Sequence, residues 1–336
     1  MKPSVPGNRL EPNTHYPPVP QTPSTLSIAV PDDFSLPIAV CSYGYFLLAP
    51  NRWDPDRQQL LRTLQGRRDR LIHIRLRQSG SRLTLACNQP LERAEQAKIK
   101  HQVIRMLRLD QDLSQWYHHC PAARRRGFGR LFRSPSFFED VIKTITTCNV
   151  AWVQTRRMNS LLCREFGGGG FSTPHQLAAT TPAQLKRKCR VGYRAQRIVG
   201  LARRVTEGKI DLEWFEHPHR HVEELMAALL KIHGIGLYAA ASLCQLLGHY
   251  DHLAIDTETR RHYLTHIRRA QPASADDLRR LDREIEQYYA RHGSYRFLAY
   301  WFELWQTYEK QRGKRSDRWS EPDADSFTTA QLGTSS

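Results

Sequence analysis

Residues 231–261 read KIHGIGLYAAASLCQLLGHYDHLAIDTETRR. Two apolar helical patterns meet there at a Gly-x-Gly turn, Gly234-Ile235-Gly236, and twenty residues after the second glycine comes Asp256. The pattern before the turn, VEELMAALLKI (222–232), is amphipathic and opens on Glu223 and Glu224, which suit the positive end of a helix. It should stop at His233, where Gly234 can take a positive φ. The pattern after the turn, LYAAASLCQLL, is Ala-rich on one side, as close helix packing requires, and Gly248 ends it. Gly236 leaves no side chain above the turn, so a phosphate can approach the backbone amides that start the second helix. An ordinary αα-hairpin uses the same kind of turn. Asp256 is equally open: it precedes Thr-Glu-Thr-Arg-Arg and suits a helix N-cap, or it is a carboxylate aimed at a substrate.

The rest of the chain narrows the choice. The 336 residues suffice for two or three domains with real cores. No apolar run approaches the roughly 18–20 residues needed to span a bilayer, and the N-terminus lacks the apolar core of a secretory signal. A cytoplasmic protein is expected, nucleoid-associated, or nuclear or organellar in a eukaryote. Seven cysteines without regular spacing suggest reduced thiols rather than a disulfide framework. The formal net charge of +17 is the strongest compositional signal and points to a polyanionic partner. Nucleic acid suits it better than a membrane, since the basic residues form no amphipathic membrane helix.

Organisation follows from pattern. Residues 1–33 are rich in Pro, Ser and Thr and read as a disordered arm. Residues 34–117 read as an α+β unit. FSLPIAVCSYGYFLLAP, LIHIRLRQ and SRLTLAC look like strands of a small antiparallel sheet, with QSGS as a hairpin, a helix near 55–65, and helix again over 91–117. From 118 to 310 the chain reads as helical. Phe138, Val141, Ile142 and Ile145 form one apolar stripe; Val153, Leu161, Leu162 and Phe166 form a second that stops at the GGGG of 167–170. Thr173-Pro174 and Thr181-Pro182 are helix starts, and 311–336 reads as a disordered tail.

The combination of HGIGLYAA with AIDTETRR resembles the helix-hairpin-helix (HhH-GPD) DNA glycosylase superfamily, in which a Gly-x-Gly hairpin precedes a catalytic Asp by about twenty residues. VGYRAQRIVGLARRV (191–205) is similar to a Gly-Tyr-Arg-Ala segment of the 8-oxoguanine and 3-methyladenine branches. The helix pair from Phe137 to Gly167, with Cys148-Asn149 between its halves, resembles their base-flipping segment, and GSYRFLAYWFELW resembles a helix of the 3-methyladenine branch. The resemblance covers about 34–310 and is strongest over 134–305. It implies a mostly helical glycosylase core behind a small antiparallel sheet, and excision of a damaged base, an alkylated purine first, from double-stranded DNA by a monomeric enzyme.

On that resemblance Asp256 would stabilise the sugar cation formed as the base leaves. In bifunctional members a Lys stands two residues past the second glycine and attacks the sugar as an amine. Here that residue is Tyr238, so water is the expected nucleophile and no lyase step is expected. Gly234, Ile235 and Gly236 would grip phosphate. Asn149, with Val150 on the same turn, would fill the gap left by the flipped base. Trp152, Tyr193, Trp301 and Trp305 are candidates for the base pocket beside Tyr238, each with a core role as the alternative.

No cysteine follows Cys244, so the four-cysteine iron–sulfur loop of the endonuclease III branch is not expected. HPHRH (217–221) and YHHC (117–120) read as solvated loops rather than metal sites, and a monovalent cation at the hairpin carbonyls is left open. Two other functions compete: a non-catalytic helix-hairpin-helix DNA-binding protein, and an 8-oxoguanine-type glycosylase.

Overall fold

A computed structural model describes residues 24–269 and 277–320. The sheet comes first. Strands β1 (Ser24–Ala29), β2 (Arg52–Asp54), β3 (Gln59–Gln65), β4 (Leu71–Ser79) and β5 (Arg82–Cys87) form one antiparallel sheet in the order β1-β5-β4-β3-β2. The register brings Leu60 opposite Leu76, Leu64 opposite Ile72, and Leu26 opposite Leu85. Alternation puts these residues, with Ile28, Ile74 and Leu83, on a single buried face. Arg62 belongs to that face too, because it pairs with Ile74.

Three expectations for this half of the chain are corrected. The sheet begins at Ser24, ten residues before the expected start of the α+β unit at 34, because Leu26 and Ile28 have β5 to pair with and a core face to fill; residues 1–23 lie outside the described residues. FSLPIAVCSYGYFLLAP is helical rather than extended, with a helix at Leu36–Val40 started by Pro37 and a 3₁₀ turn at Gly44–Leu47. The stretch 55–65 is the turn between β2 and β3 and then β3 itself, not a helix. In QLLRTLQ the apolar Leu60, Leu61 and Leu64 suit a helix as well as a strand, and pairing with β2 and β4 decides for the strand. The β4–β5 hairpin turns at Gly80, with φ of 56°, where expected.

The helical body packs behind the sheet. Helix Phe137–Thr147 is capped by Ser136, whose hydroxyl accepts from the Glu139 amide, and nearly its whole surface is buried. It carries the join between the two halves: Arg62 of β3 donates to both oxygens of Glu139 at 2.7 and 2.5 Å, and Lys143 lies 2.8 Å from the same carboxylate. All three side chains are buried. Helix Trp152–Glu165 follows and stops at the glycines, with Gly168 and Gly169 both at positive φ. Thr173 and Thr181 form full capping boxes with Gln176 and Gln184 at the two Thr-Pro starts. The last long helix, Arg296–Arg312, packs against helix Leu278–Ala290.

The expected disordered tail is also corrected in part. Gly313 ends that helix in the left-handed conformation, and residues 316–319 fold back so that Trp319 is buried. Its indole nitrogen donates to the Lys314 carbonyl at 3.2 Å, its ring meets Trp305 at 6.3 Å, and the segment lies against helix Leu36–Val40. A buried indole offsets the ordering cost of such a short segment. Residues 321–336 lie outside the described residues.

Candidate active site

The hairpin forms as its sequence suggests. Helix Val222–Leu230 ends at Lys231, Gly234 takes φ of 92°, and helix Leu237–Leu247 starts at Gly236 and ends at Gly248, with φ of 108°. Two constraints fall on Gly234. The positive φ disfavours any side chain, and a Cβ there would sit 2.3 Å from Cδ of Arg197. At Gly236 the opposite holds: nothing lies within 4 Å of a Cβ, and no side chain caps the helix. The first-turn amides therefore face open space beside Leu237, which is 71% exposed, while Ile235 is buried as the hairpin's anchor.

Tyr238, in the first turn of that second helix, faces a cavity of about 290 Å³. Helix Leu237–Leu247 packs on Phe137–Thr147, so the cavity opens where those two helices meet the 43–46 turn and helix Arg296–Arg312. Its walls are aromatic. Phe297 and Trp301 stack at 5.5 Å with their planes 20° apart, Tyr43 leans on Trp301 at 5.4 Å, and Tyr45 meets Tyr43 edge-on at 5.0 Å. Trp301 is fixed by a 2.7 Å bond from its indole nitrogen to the Ser42 carbonyl. Gly44 packs closely against the same wall: a Cβ there would lie 3.1 Å from the Trp152 ring, which would have to give by a few tenths of an ångström. Trp305 and Trp319 line the far side.

Asp256 enters this cavity as the N-cap of helix Thr257–His262. One oxygen, Oδ1, accepts from the Thr259 amide at 2.8 Å and from its hydroxyl at 3.0 Å. The other, Oδ2, accepts from the Tyr238 hydroxyl at 3.4 Å. The two readings of Asp256 are therefore compatible: one oxygen caps the helix and holds the group still, and the other faces the cavity side. Burial, and then the Asp256 charge, push the Tyr238 phenol well above its ordinary value, so it stays a neutral donor. Burial followed by the same carboxylate raises Tyr300. Among the described residues no lysine lines the cavity.

Of the residues singled out in the sequence, Asp256, Tyr238, Trp152, Trp301, Trp305 and Val150 all reach this cavity. Tyr193 does not, and its assignment to the base pocket is corrected. It stands just before helix Arg194–Thr206, 51% exposed, with the guanidinium groups of Arg194 and Arg197 at 4.6 and 4.7 Å from its ring centroid. Asn149 is exposed at the turn after helix Phe137–Thr147, in the left-handed conformation with φ of 51°. Arg194 braces that turn from below. Its buried guanidinium donates to the carbonyls of Ile145 at 3.1 Å and Asn149 at 3.4 Å, and also to that of Cys148.

Residues that sequence reasoning missed include Tyr43, Tyr45, Glu258, Tyr300, Tyr308 and Trp319. Only Glu258 had a local signal, its place two residues past Asp256 in the same capping turn. The histidines of 117–120 and 217–221 lie elsewhere; His119 bonds His292 at 2.9 Å, and no group of three metal-ligating side chains occurs among the described residues. No helix there is long and apolar enough to cross a membrane.

An antiparallel sheet ahead of a helical body, with a glycine-turned hairpin beside an aromatic cavity, is the α+β fold of the helix-hairpin-helix DNA glycosylases. Among solved structures, it is similar to MBOgg1 in complex with a low affinity DNA ligand, at TM-score 0.63 and 18% identity, over 88% of this chain and 98% of that one. It is also similar to a 3-methyladenine DNA-glycosylase from Archaeoglobus fulgidus, at TM-score 0.63 and 18% identity, over 84% and 98%. A third is the apo form of the Clostridium acetobutylicum 8-oxoguanine glycosylase/lyase, at 0.60 and 16%, over 83% and 96%. At these identities the likeness is one of fold. No family model and no curated protein matches the chain.

Proposed function

We propose that this protein is a monofunctional DNA glycosylase that flips a damaged base, an alkylated purine first, out of double-stranded DNA and hydrolyses its N-glycosidic bond. The observation that carries the reading is Asp256, held by Thr259 on one oxygen and facing Tyr238 with the other, at the edge of an aromatic cavity. An extruded base needs such a cavity, because the glycosidic bond is out of reach within the stack. Stacking between aromatic faces repays the lost base stacking, at about 1–3 kcal/mol per base. As the bond lengthens, positive charge develops on the sugar, and the fixed Asp256 carboxylate stabilises it without having to reorganise.

Each other part has a role in this reading. The open amides at Gly236 take a phosphate beside the lesion, with Ile235 buried to hold the hairpin. Asn149, presented on the braced turn with Val150, fills the gap in the duplex. The +17 net charge draws the protein to DNA. Tyr238 cannot form a Schiff base, so water completes the reaction, and the step calls for neither an iron–sulfur cluster nor another cofactor. The protein acts as a monomer wherever the DNA is kept.

The test is a panel of duplexes carrying alkylated adenine, 8-oxoguanine, hypoxanthine or uracil, each scored for base release with and without alkali. Release from alkylated adenine, with strand breaks only after alkali, is the expected result. Nicking without alkali would favour the 8-oxoguanine-type glycosylase/lyase instead. Binding without release from any duplex would leave a non-catalytic DNA-binding protein.

A further inference from the structure

In a chain of net charge +17, the cavity is lined by two carboxylates, Asp256 and Glu258, and among the described residues by no Lys, Arg or His. That inversion of sign needs a reason. Glu258 sits two residues beyond Asp256 and is mostly buried, with its carboxylate set in place by Arg261 and by Tyr308 of the cavity wall. Arg261 donates its Nε to Oε2 at 2.8 Å and its Nη2 to Oε1, and the Tyr308 hydroxyl donates to Oε1 at 2.7 Å. A carboxylate has about four acceptor positions, and these donors take three. The group is thus oriented, with room to accept from an occupant.

A second observation lies on the same wall. The indole nitrogen of Trp305 is buried and has no acceptor among the described residues, and the ring lines the cavity. A buried N–H left without a partner is unfavourable, and an occupant bearing a ring nitrogen would satisfy it. The cavity therefore offers stacking faces, one strong acceptor and one free donor.

We propose that Glu258 is a specificity-determining residue, reading the charge and the exocyclic N–H of a cationic planar base while Asp256 attends to the sugar. The natural occupant follows from the base-release reading above; the recognition chemistry does not depend on it. Stacking and hydrogen bonds are open to a cationic and a neutral base alike, but only the cation also gains from its charge against the aromatic faces and the net negative wall. The phenols agree with a negative interior: burial and then the neighbouring carboxylates drive Tyr238, Tyr300 and Tyr308 upward.

Free bases test this without any catalysis. The full chain is titrated with 3,9-dimethyladeninium, a permanent cation, and with neutral 9-methyladenine, and quenching of tryptophan fluorescence is followed. The wild type should prefer the cation, and Glu258→Gln should reduce that preference by about tenfold or more, which is roughly 1.4 kcal/mol. Tyr308→Phe, which removes one donor from the carboxylate and leaves the charge, should increase the preference. Trp305→Phe should weaken both probes alike. An unchanged preference in Glu258→Gln, or a wild type that binds neither probe, overturns the proposal. Failure of base release on the duplex panel, with the cation preference intact, would instead count against the glycosylase reading.

Discussion

The Tyr238 hydroxyl lies 3.4 Å from Oδ2 of Asp256, so the first turn of the hairpin's second helix touches the cap of the helix that follows it. Burial and the Asp256 charge keep that phenol protonated throughout the ordinary pH range. A protonated Tyr238 donates to the carboxylate at every pH where the protein works, and no activity should be lost on the alkaline side from its titration below pH ~10. Tyr238→Phe should keep activity to within about tenfold, the worth of one hydrogen bond, and leave the upper limb of the pH–rate profile in place. A profile whose alkaline limb moves in Tyr238→Phe would show that the phenol titrates.

Asp256→Asn is expected to lower single-turnover base release by on the order of 10²–10³ or more, as for other fixed charges aimed at a developing charge. Asn can still cap the helix, so the thermal midpoint should fall little. Affinity for lesion duplex, measured by fluorescence anisotropy, should stay within a few-fold. Equal losses of release and of affinity would mean that Asp256 is chiefly a cap.

With no lysine lining the cavity among the described residues, borohydride should trap no covalent complex between the protein and lesion DNA. The measurement is a denaturing gel after reduction. A trapped adduct would require an amine elsewhere to reach the sugar.

How much of this was legible in the sequence depends on range. The hairpin, its glycines and the Asp256 cap are local: backbone conformation and capping act over a few residues, and the letters carry them. The short apolar runs at 36–40 and 59–65 were not legible, because five to seven residues of mixed apolar sequence suit a helix or a strand until partners decide. For β3 the partner is β4, and for Leu36–Val40 it is the segment around Trp319. The cavity is less legible still. Tyr43 comes from one end of the described chain and Tyr300 and Trp319 from the other, and an aromatic letter does not say which way its ring points. Tyr193 is the converse case, an aromatic that looked like a pocket residue and lies instead, half exposed, against the guanidinium groups of buried Arg194 and half-buried Arg197.

Arg194 holds the Asn149 turn through three backbone carbonyls, so it is a positioning residue for whatever Asn149 does. Arg194→Lys supplies one ammonium point where a planar fork is needed and should not rescue the turn. Lys and Ala variants should both weaken binding to lesion duplex by roughly tenfold while base release at saturating protein changes less. Affinity and saturated rate falling together would point to general unfolding.

Burial alone would raise the Glu139 carboxyl, but Arg62 and Lys143 outweigh it and hold it below the usual carboxylate value. A depressed folded value means that the stabilisation is complete above the unfolded value of about 4.3 and is lost as the pH falls through the folded one. Glu139→Gln should therefore flatten the acid limb of stability below pH ~4. At neutral pH it should cost about 3–5 kcal/mol, because two buried cations lose their partner. Urea melts at pH 7 and pH 3.5 measure both effects. A variant as stable as wild type at pH 7 would mean that water reaches the cluster.

Trp319 closes the rear of the cavity while resting beside helix Leu36–Val40, so the last described segment completes a wall begun near the first. During synthesis on the ribosome, the hairpin and Asp256 leave the exit tunnel before Trp319 is made. The nascent chain thus carries its grip and its carboxylate before it can enclose the cavity, a step that waits for Trp319.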